Sequence, residues 1–83
     1  MKEIYFSKHA RLQMRERGAT EAEVKETILT GEKLPAKKNR RAYRKNFVYN
    51  KLWGGHFYRI KQVMPIVVEE EKIVVITVYV FYF

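Results

Sequence analysis

The pattern of apolar positions in the first third of the chain predicts two short helices joined by a tight turn. Apolar residues recur at i, i+4 spacing, which places them on one face of a helix. They are Ala10, Met14, Val24 and Ile28. Ser7 is a suitable N-cap for the first helix and Gly18 ends it. Thr20-Glu21-Ala22-Glu23 is a capping box that opens a second helix, which ends at Gly31.

From about residue 41 the chain is rich in β-branched and aromatic residues, which favour strands. Strands are predicted over residues 3–6, 41–53, from 56 onward and 73–83. Trp53-Gly54-Gly55-His56 predicts a hairpin turn, Pro65 limits the next strand or marks a bulge, and residues 31–40 are expected to form a loop. The order is β-α-α-β-β-β, an α+β fold with the helical hairpin packed on one face of a mainly antiparallel sheet. With no repeat or linker, residues 1–83 are expected to form one domain.

Alternation along the last strand divides its side chains between two faces. The set expected to pack under the helices is aliphatic: Val74, Ile76, Val78 and Val80. The other set becomes aromatic: Ile73, Val75, Thr77, Tyr79, Phe81 and Phe83. If Ile60 of the preceding strand joins the core, Arg59 and Lys61 lie on the open face with Thr77 and Tyr79. A face of cations and rings is suited to holding a strand of RNA.

The charge of the chain is basic and unevenly distributed. Seventeen Lys and Arg residues against nine Glu, with no Asp, give a net charge of +8. Residues 33–61 hold ten basic residues and no acidic one, interleaved with Tyr, Phe and Trp. This pattern indicates binding to a polyanion such as nucleic acid. The alternative is a basic face that serves only solubility.

The composition also limits the chemistry. The absence of cysteine excludes a disulfide scaffold, a Cys-ligated zinc site and a thiol nucleophile. Two histidines without any Asp are a poor set of metal ligands, so neither a metal nor a cofactor is expected. The first residues lack the apolar segment of a signal peptide, and the longest apolar run is too short for a membrane helix. A soluble, cytoplasmic protein without membrane contact is therefore expected.

Two histidines are the candidates for proton transfer. His9 lies in the first turn of the first helix, and Gln13 and Arg17 follow it along adjoining rows. A histidine beside cations can bind phosphate or transfer a proton near neutral pH, although a capping or packing role is the alternative. His56, at the hairpin turn, is either functional or simply solvated. Cleavage of RNA by its own 2′-hydroxyl needs only a base, cations and an acid, so a metal-independent ribonuclease is the enzyme class left open.

Three segments of the chain resemble one protein family. They are Phe6-Ser7-Lys8-His9-Ala10, the run from Met14 to Val24, and the run from Lys72 to Tyr79. These segments are similar to the opening and closing motifs of the domain-of-unknown-function 4258 family. The resemblance implies the fold of the RelE/ParE toxins, which include ribonucleases and gyrase poisons that antitoxins neutralise. Gln13 stands where the family usually has an arginine, so a phosphate contact made there in relatives would shift to Arg11 or Arg15.

The resemblance implies a toxin-like RNA-binding domain of a prokaryotic toxin–antitoxin system, acting as a metal-independent endoribonuclease. The expected catalytic residues are His9 for proton transfer, Arg17 for phosphorane charge, Arg59 for phosphate and Tyr79 for base stacking. The expected RNA-binding residues are Arg40, Arg41, Arg44, Lys45, Lys61 and His56. The alternatives are a non-catalytic module that binds RNA, DNA or an acidic protein, and a gyrase-directed toxin.

The end of the last strand predicts association with a second chain. Apolar residues occupy both of its faces, and three of the four residues 80–83 are aromatic. One helical hairpin covers only one face of a small sheet, and a large exposed aromatic patch usually marks an interface. The expected partner is a second copy or a segment of an acidic antitoxin protein. The alternative is that these rings fold under the loop at residues 31–40.

Overall fold

The computed structural model of the chain describes residues 2–83, in which two helices lie on one face of a five-stranded sheet. The elements are β1 (Ile4–Phe6), α1 (Lys8–Arg17), α2 (Glu21–Thr30), β2 (Glu32–Pro35), β3 (Arg40–Trp53), β4 (His56–Glu69) and β5 (Ile73–Tyr82). The sheet order is β1-β5-β4-β3-β2. Only β1 and β5 are parallel among the described pairs; the other neighbours are antiparallel. The predicted α+β class is confirmed.

Local capping sets the bounds of both helices, as the sequence predicts. The Ser7 side chain accepts a hydrogen bond from the Ala10 N–H at 3.0 Å, which begins α1. Gly18 ends α1 in the left-handed conformation, with φ of 83°. Thr20 and Glu23 exchange hydrogen bonds at 3.0 and 3.1 Å, which is the complete capping box of α2.

At residues 31–40 the structure differs from the sequence-based expectation. The segment expected to be a loop contains β2, whose residues pair with Arg41–Arg44 of β3. Pairing stabilises this short strand although its residues are weak strand formers, and Pro35 is tolerated because an outer strand needs few N–H donors. Pro65 does not end β4 either. It lies opposite Val78, and on its other side the β3–β4 pairing resumes at Lys45 in the same register. The bulge that was the other expectation for Pro65 does follow it, in the β4–β5 pairing between Ile66 and Val67.

A β-bulge reverses the alternation of β5. Ile66 pairs with Thr77 while Val67 pairs with Val75, so Ile76 is an extra residue without a partner. The prediction that Val78 and Val80 face the helices is correct. The prediction for Val74 and Ile76 is wrong, because the bulge shifts the register by one and turns the opposite set toward the core.

The helices therefore cover one face of the sheet and leave the other uncovered. The core between helices and sheet consists of Ala10, Met14, Ala19, Val24, Ile28, Tyr43, Val63, Val67, Ile73, Val75 and Val78. Alternation places a second set on the opposite side, which we call the open face. Its central residues are Arg40, Ala42, Arg44, Asn46 and Val48 of β3, Ile60, Gln62, Met64, Ile66 and Val68 of β4, and Thr77, Tyr79 and Phe81 of β5.

Candidate nucleic-acid interface

Side chains of α1 bind the outer edge of β5 where β1 ends. β1 pairs with β5 only as far as Val75. Beyond it, Gln13 Oε1 accepts the Val78 N–H at 3.0 Å, and Arg17 Nη1 donates to the Val78 carbonyl at 2.7 Å. The Arg17 guanidinium also lies 5.4 Å from the centre of the Tyr79 ring, a cation–π distance. Two predicted site residues, Arg17 and Tyr79, are thus in contact.

Gln13 is the residue whose role the sequence did not reveal. An arginine at this position could only donate hydrogen bonds, whereas a glutamine carbonyl can accept the Val78 N–H. Gln13 and Arg17 together form hydrogen bonds with both the N–H and the carbonyl of Val78. The i, i+4 spacing of the two residues is a sequence signal, but their shared target lies more than sixty positions away in the chain.

Exposed rings line the open face from the middle of β5 to the tip of the β3–β4 hairpin. Tyr79 and Phe81 are 41% and 42% exposed, and their ring centres are 6.5 Å apart with planes 17° from parallel. Phe83 and Phe57 are 63% and 59% exposed. Gln62, opposite Phe81, donates to the Asn46 side chain at 2.9 Å. Flat rings beside amide groups form a surface on which unpaired bases can stack.

Arg59 borders these rings at the aromatic end of the face. The backbone N–H groups of Arg59 and Ile60 both donate to the Phe83 carbonyl, at 2.8 and 3.1 Å. Two consecutive donors on one acceptor are the pattern of a bulge, which brings Arg59 to the same side of the sheet as Ile60. The Arg59 side chain is exposed there. It is therefore free to contact a phosphate beside the rings.

Two further arginines lie toward the other end of the open face. Arg40 lies opposite Val68. Arg44 pairs with Glu32 at 2.6 Å, and both side chains are exposed. An exposed ion pair contributes little stability, so the Arg44 guanidinium can exchange its carboxylate for a phosphate.

Lys61 is not on this face, which corrects its predicted role in RNA binding. It is 6% exposed and lies on the helix side of β4. Its Nζ donates to the Gly18 carbonyl and approaches Glu23 Oε2, both at 2.8 Å, and it lies 5.2 Å from the Tyr49 ring centre. The side chain is unavailable to RNA because the alternation of β4 places Val63 and Val67, rather than Ile60, in the core.

Two other predicted RNA-binding residues also point to the helix side. Lys45 forms an ion pair with Glu26 at 2.8 Å and donates to the Thr30 hydroxyl at 2.6 Å. Arg41 pairs with Val67 in register and shares a cleft with Lys38, with Glu69 at the end of β4 and with Glu70 just after it. These two glutamates partly neutralise the cleft. The basic block of the sequence is therefore divided between two sides of the sheet.

The two histidines lie apart from Arg17 and Tyr79. His9 is exposed on α1, in a shallow groove that is lined by Lys8, Arg11, Leu12 and Arg15. Two helical turns, about 12 Å along the axis, separate it from Arg17. His56 is exposed at the hairpin tip, where its ring centre is 6.3 Å from that of Tyr58. The geometry does not assemble the four predicted catalytic residues into one cluster.

An aromatic cluster on the helix side of the sheet attaches the β3–β4 hairpin to α1. Trp53 stacks on Tyr82 with ring centres 4.8 Å apart, and the Tyr82 hydroxyl donates to the Arg17 carbonyl at 2.6 Å. Burial, with smaller contributions from Tyr49 and Glu23, raises the pKa of Tyr82 to about 12. The folded state therefore favours the neutral phenol, and this stabilisation is complete below pH 10 and lost as pH rises toward 12.

Residues 2–83 contain neither a metal-binding cluster nor a membrane helix. No group of three or more His and Glu side chains in this part of the chain is placed to hold a metal ion. Neither described helix is long and apolar enough to cross a membrane.

The fold and the site define a small α+β domain with a helical hairpin on one face of a mixed sheet and an arginine-bordered aromatic surface on the other. The chain belongs to the family described as Domain of unknown function (DUF4258), whose model matches residues 6–80. The family predicted from the sequence is thereby confirmed. No curated protein and no solved structure matches the chain.

Proposed function

We propose that this protein is an RNA-binding domain that holds a single strand on the open face of its sheet. The observation that carries the proposal is the row of exposed rings, from Tyr79 and Phe81 to Phe83, on a face that the helices leave uncovered. A net charge of +8 supports it, because a cationic protein attracts a polyanion from a distance. Sequence-independent binding of single strands uses this combination of rings and cations.

Each part of the face has a distinct task in this proposal. Tyr79 and Phe81 are two residues apart in one strand, so their rings receive separate bases along an extended strand. Arg17 at one border and Arg59 at the other contact phosphates. Gln62 and Asn46 offer amide groups to base edges or to the 2′-hydroxyl.

Removing the rings should weaken RNA binding while the fold is retained. Because stacking on one aromatic side chain contributes about 1–3 kcal/mol per base, Phe81→Ala should raise the Kd for a short oligouridine about tenfold, and Tyr79→Ala with Phe81→Ala about a hundredfold. Fluorescence anisotropy with labelled RNA measures this at low salt. Leu29→Ala, which changes an apolar residue of α2 that is at least as exposed as the two rings, is the matched control. An unchanged Kd in the double variant, with native circular dichroism, would contradict the proposal.

A second candidate function is cleavage of RNA by His9, which lies on α1 and not on the open face. The exposed surface of α1 that carries this imidazole also carries Lys8, Arg11 and Arg15. Arg11 also pairs with Glu21, but both partners are about half exposed, so the pair is easily exchanged. In this reaction His9 accepts the 2′-hydroxyl proton, the 2′-oxygen attacks phosphorus, and the 5′-oxygen leaves with a proton from water. The products are a 2′,3′-cyclic phosphate and a 5′-hydroxyl, and the cations stabilise the phosphorane charge.

Replacement of His9 tests cleavage separately from binding. If the domain is a ribonuclease, labelled RNA is converted to 2′,3′-cyclic phosphate ends without added metal. His9→Ala should then lower the rate about 10²- to 10⁴-fold, the usual contribution of a positioned general base. Lys25→Ala, which changes an exposed residue of α2, is the control and should retain activity. If the wild type binds RNA without cleaving it, the ribonuclease proposal is wrong and the RNA-binding proposal stands.

The biological setting we propose is a prokaryotic toxin–antitoxin pair with a RelE/ParE-like toxin. The basic charge and the uncovered face support it, because an acidic antitoxin that occupies this face would block RNA. A gyrase-directed toxin is the remaining alternative within this setting. DNA breakage in the presence of gyrase, with no effect on RNA, would identify it.

A further inference from the structure

The outer edge of β5 is covered over only part of its length. β1 pairs with it as far as Val75, and the Ser7 N–H then donates to the Val75 carbonyl at 2.9 Å. Gln13 and Arg17 bind the N–H and carbonyl of Val78. The chain itself thus covers this edge up to Val78. The segment of β5 after Val78 is not covered in this way.

Beyond Val78 the edge has free hydrogen-bonding groups. Phe83 exchanges hydrogen bonds with Ile60 of β4, at 2.9 and 3.1 Å. In an antiparallel ladder such pairs alternate, so Phe81 also points its backbone to β4, while Val80 and Tyr82 point theirs outward. Among residues 2–83, none provides a hydrogen-bond partner to the outward N–H or carbonyl of Val80 or Tyr82.

This edge lacks the features that usually prevent strands from pairing with other chains. Outer strands are commonly short, charged or interrupted by proline. β2, at the opposite end of the sheet, has all three features, with four residues that include Glu32, Lys33 and Pro35. β5 contains no charged residue, no glycine and no proline. Its uncovered end is thus suited to accept another strand.

We propose that a second copy of this chain pairs with β5 along this free edge, in antiparallel orientation about a two-fold axis. The groups already bound at Val78 fix the register, because beyond that residue the described part of the β5 edge has free N–H and carbonyl groups at Val80 and Tyr82 alone. Val80 of each copy then lies opposite Tyr82 of the other and exchanges both hydrogen bonds with it. Phe81 lies on the axis, opposite the Phe81 of the second copy.

The register also pairs the aromatic side chains of the two copies. Tyr79 lies opposite Phe83 of the second copy, and the two Phe81 rings meet at the closely spaced kind of antiparallel pair. These contacts favour a second copy over an unrelated strand, because one segment supplies complementary rings and hydrogen bonds to itself. The exposed parts of the three rings amount to about 300 Å² per copy, less than a permanent dimer buries, so the association is expected to be weak and concentration-dependent.

Edge pairing leaves the open face of both copies uncovered. The two sheets become continuous, and the ring rows of both copies form one longer stacking surface. The inference stands on the edge of β5 alone and holds whether or not the open face binds RNA.

Amide hydrogen exchange measured by NMR tests the register residue by residue. The Val80 and Tyr82 amides should exchange at least about tenfold more slowly at submillimolar than at low micromolar protein, because pairing buries them only in the dimer. The Phe81 amide, bonded to β4 in either state, should be protected at both concentrations. Sedimentation equilibrium should give a mass that rises toward that of a dimer over the same range.

A charge placed on the two-fold axis provides the matched variant. Phe81→Arg brings two guanidinium groups opposite each other and should give a monomer at every concentration. Val48→Arg, equally on the open face but away from the edge, should still dimerise. A wild-type monomer at submillimolar concentration would overturn the proposal. So would a dimer whose Val80 and Tyr82 amides exchange freely, since it would use another surface.

Discussion

Gly18→Ala is expected to lower the free energy of unfolding by about 3 kcal/mol, from two costs that add. Gly18 has φ of +83°, a conformation that a residue with a Cβ adopts only with strain. A Cβ at this position would also lie 2.6 Å from the Tyr82 hydroxyl oxygen and 2.8 Å from two carbons of the Trp53 ring. The Trp53–Tyr82 stack must therefore shift away from the α1–α2 turn, which weakens one attachment of the β3–β4 hairpin to the helices.

Urea denaturation of the variants separates the two costs. Gly54→Ala is the matched control, because Gly54 also has a positive φ, +58°, yet a methyl group there would have no neighbouring atom within 4 Å. The free energy of unfolding of that variant should fall only by the cost of the backbone strain, about 1 kcal/mol. Equal losses in the two variants would mean that the contact between the aromatic cluster and the turn contributes nothing to stability.

Lys61→Met is expected to destabilise the domain by about 3 kcal/mol, although it introduces an apolar residue of similar length. The change removes the cation that pairs with Glu23 and the donor to the Gly18 carbonyl. The partly buried Glu23 carboxylate and the Gly18 carbonyl then lack a partner. This destabilises the fold by more than the added apolar surface stabilises it. The Glu23 side chain is 22% exposed, so water relieves part of the cost and the loss stays at the low end for a buried pair.

A double-mutant cycle isolates the ion pair from packing. Glu23→Gln retains the capping box, which accepts either residue at this position. Combined with Lys61→Met, it should cost at least about 1 kcal/mol less than the two single changes added together. Lys45→Met, which breaks the more exposed pair with Glu26, should cost less than about 1 kcal/mol. Additive losses at Lys61 and Glu23 would contradict a coupled pair.

Local chemistry was sufficient to predict the helices but not the faces of the strands. Caps act within four residues, so Ser7, Gly18 and the box at residues 20–23 carry their own structural information. The face of a strand residue depends on a register that a single bulge can reverse. The bulge at Ile76 follows from pairing with β4, and no signal in β5 itself marks it.

The positions of the candidate site residues could be predicted only where those residues lie in one helix, or on one face of a strand with regular alternation. Tyr79 and Phe81 were assigned correctly to the open face, because no irregularity follows Thr77 in β5. Lys61 was assigned to the wrong face because a lysine seldom lies beneath a helix, and its partners, Glu23 and the Gly18 carbonyl, are distant in sequence. The role of Gln13 was hidden for the same reason.

The position of β5 between β1 and β4 determines the order in which the nascent chain can fold. β1 and α1 leave the ribosome first, yet the strand on which both depend is translated only after β4. Until residues 73–82 emerge, the apolar stripe of α1 has no partner strand and β1 has nothing to pair with. Such long-range pairing slows folding, because a large loop must close before any contact stabilises it. Of the two helices, α2 can already pack on β3 and β4, whereas α1 packs against the sheet only when β5 has emerged.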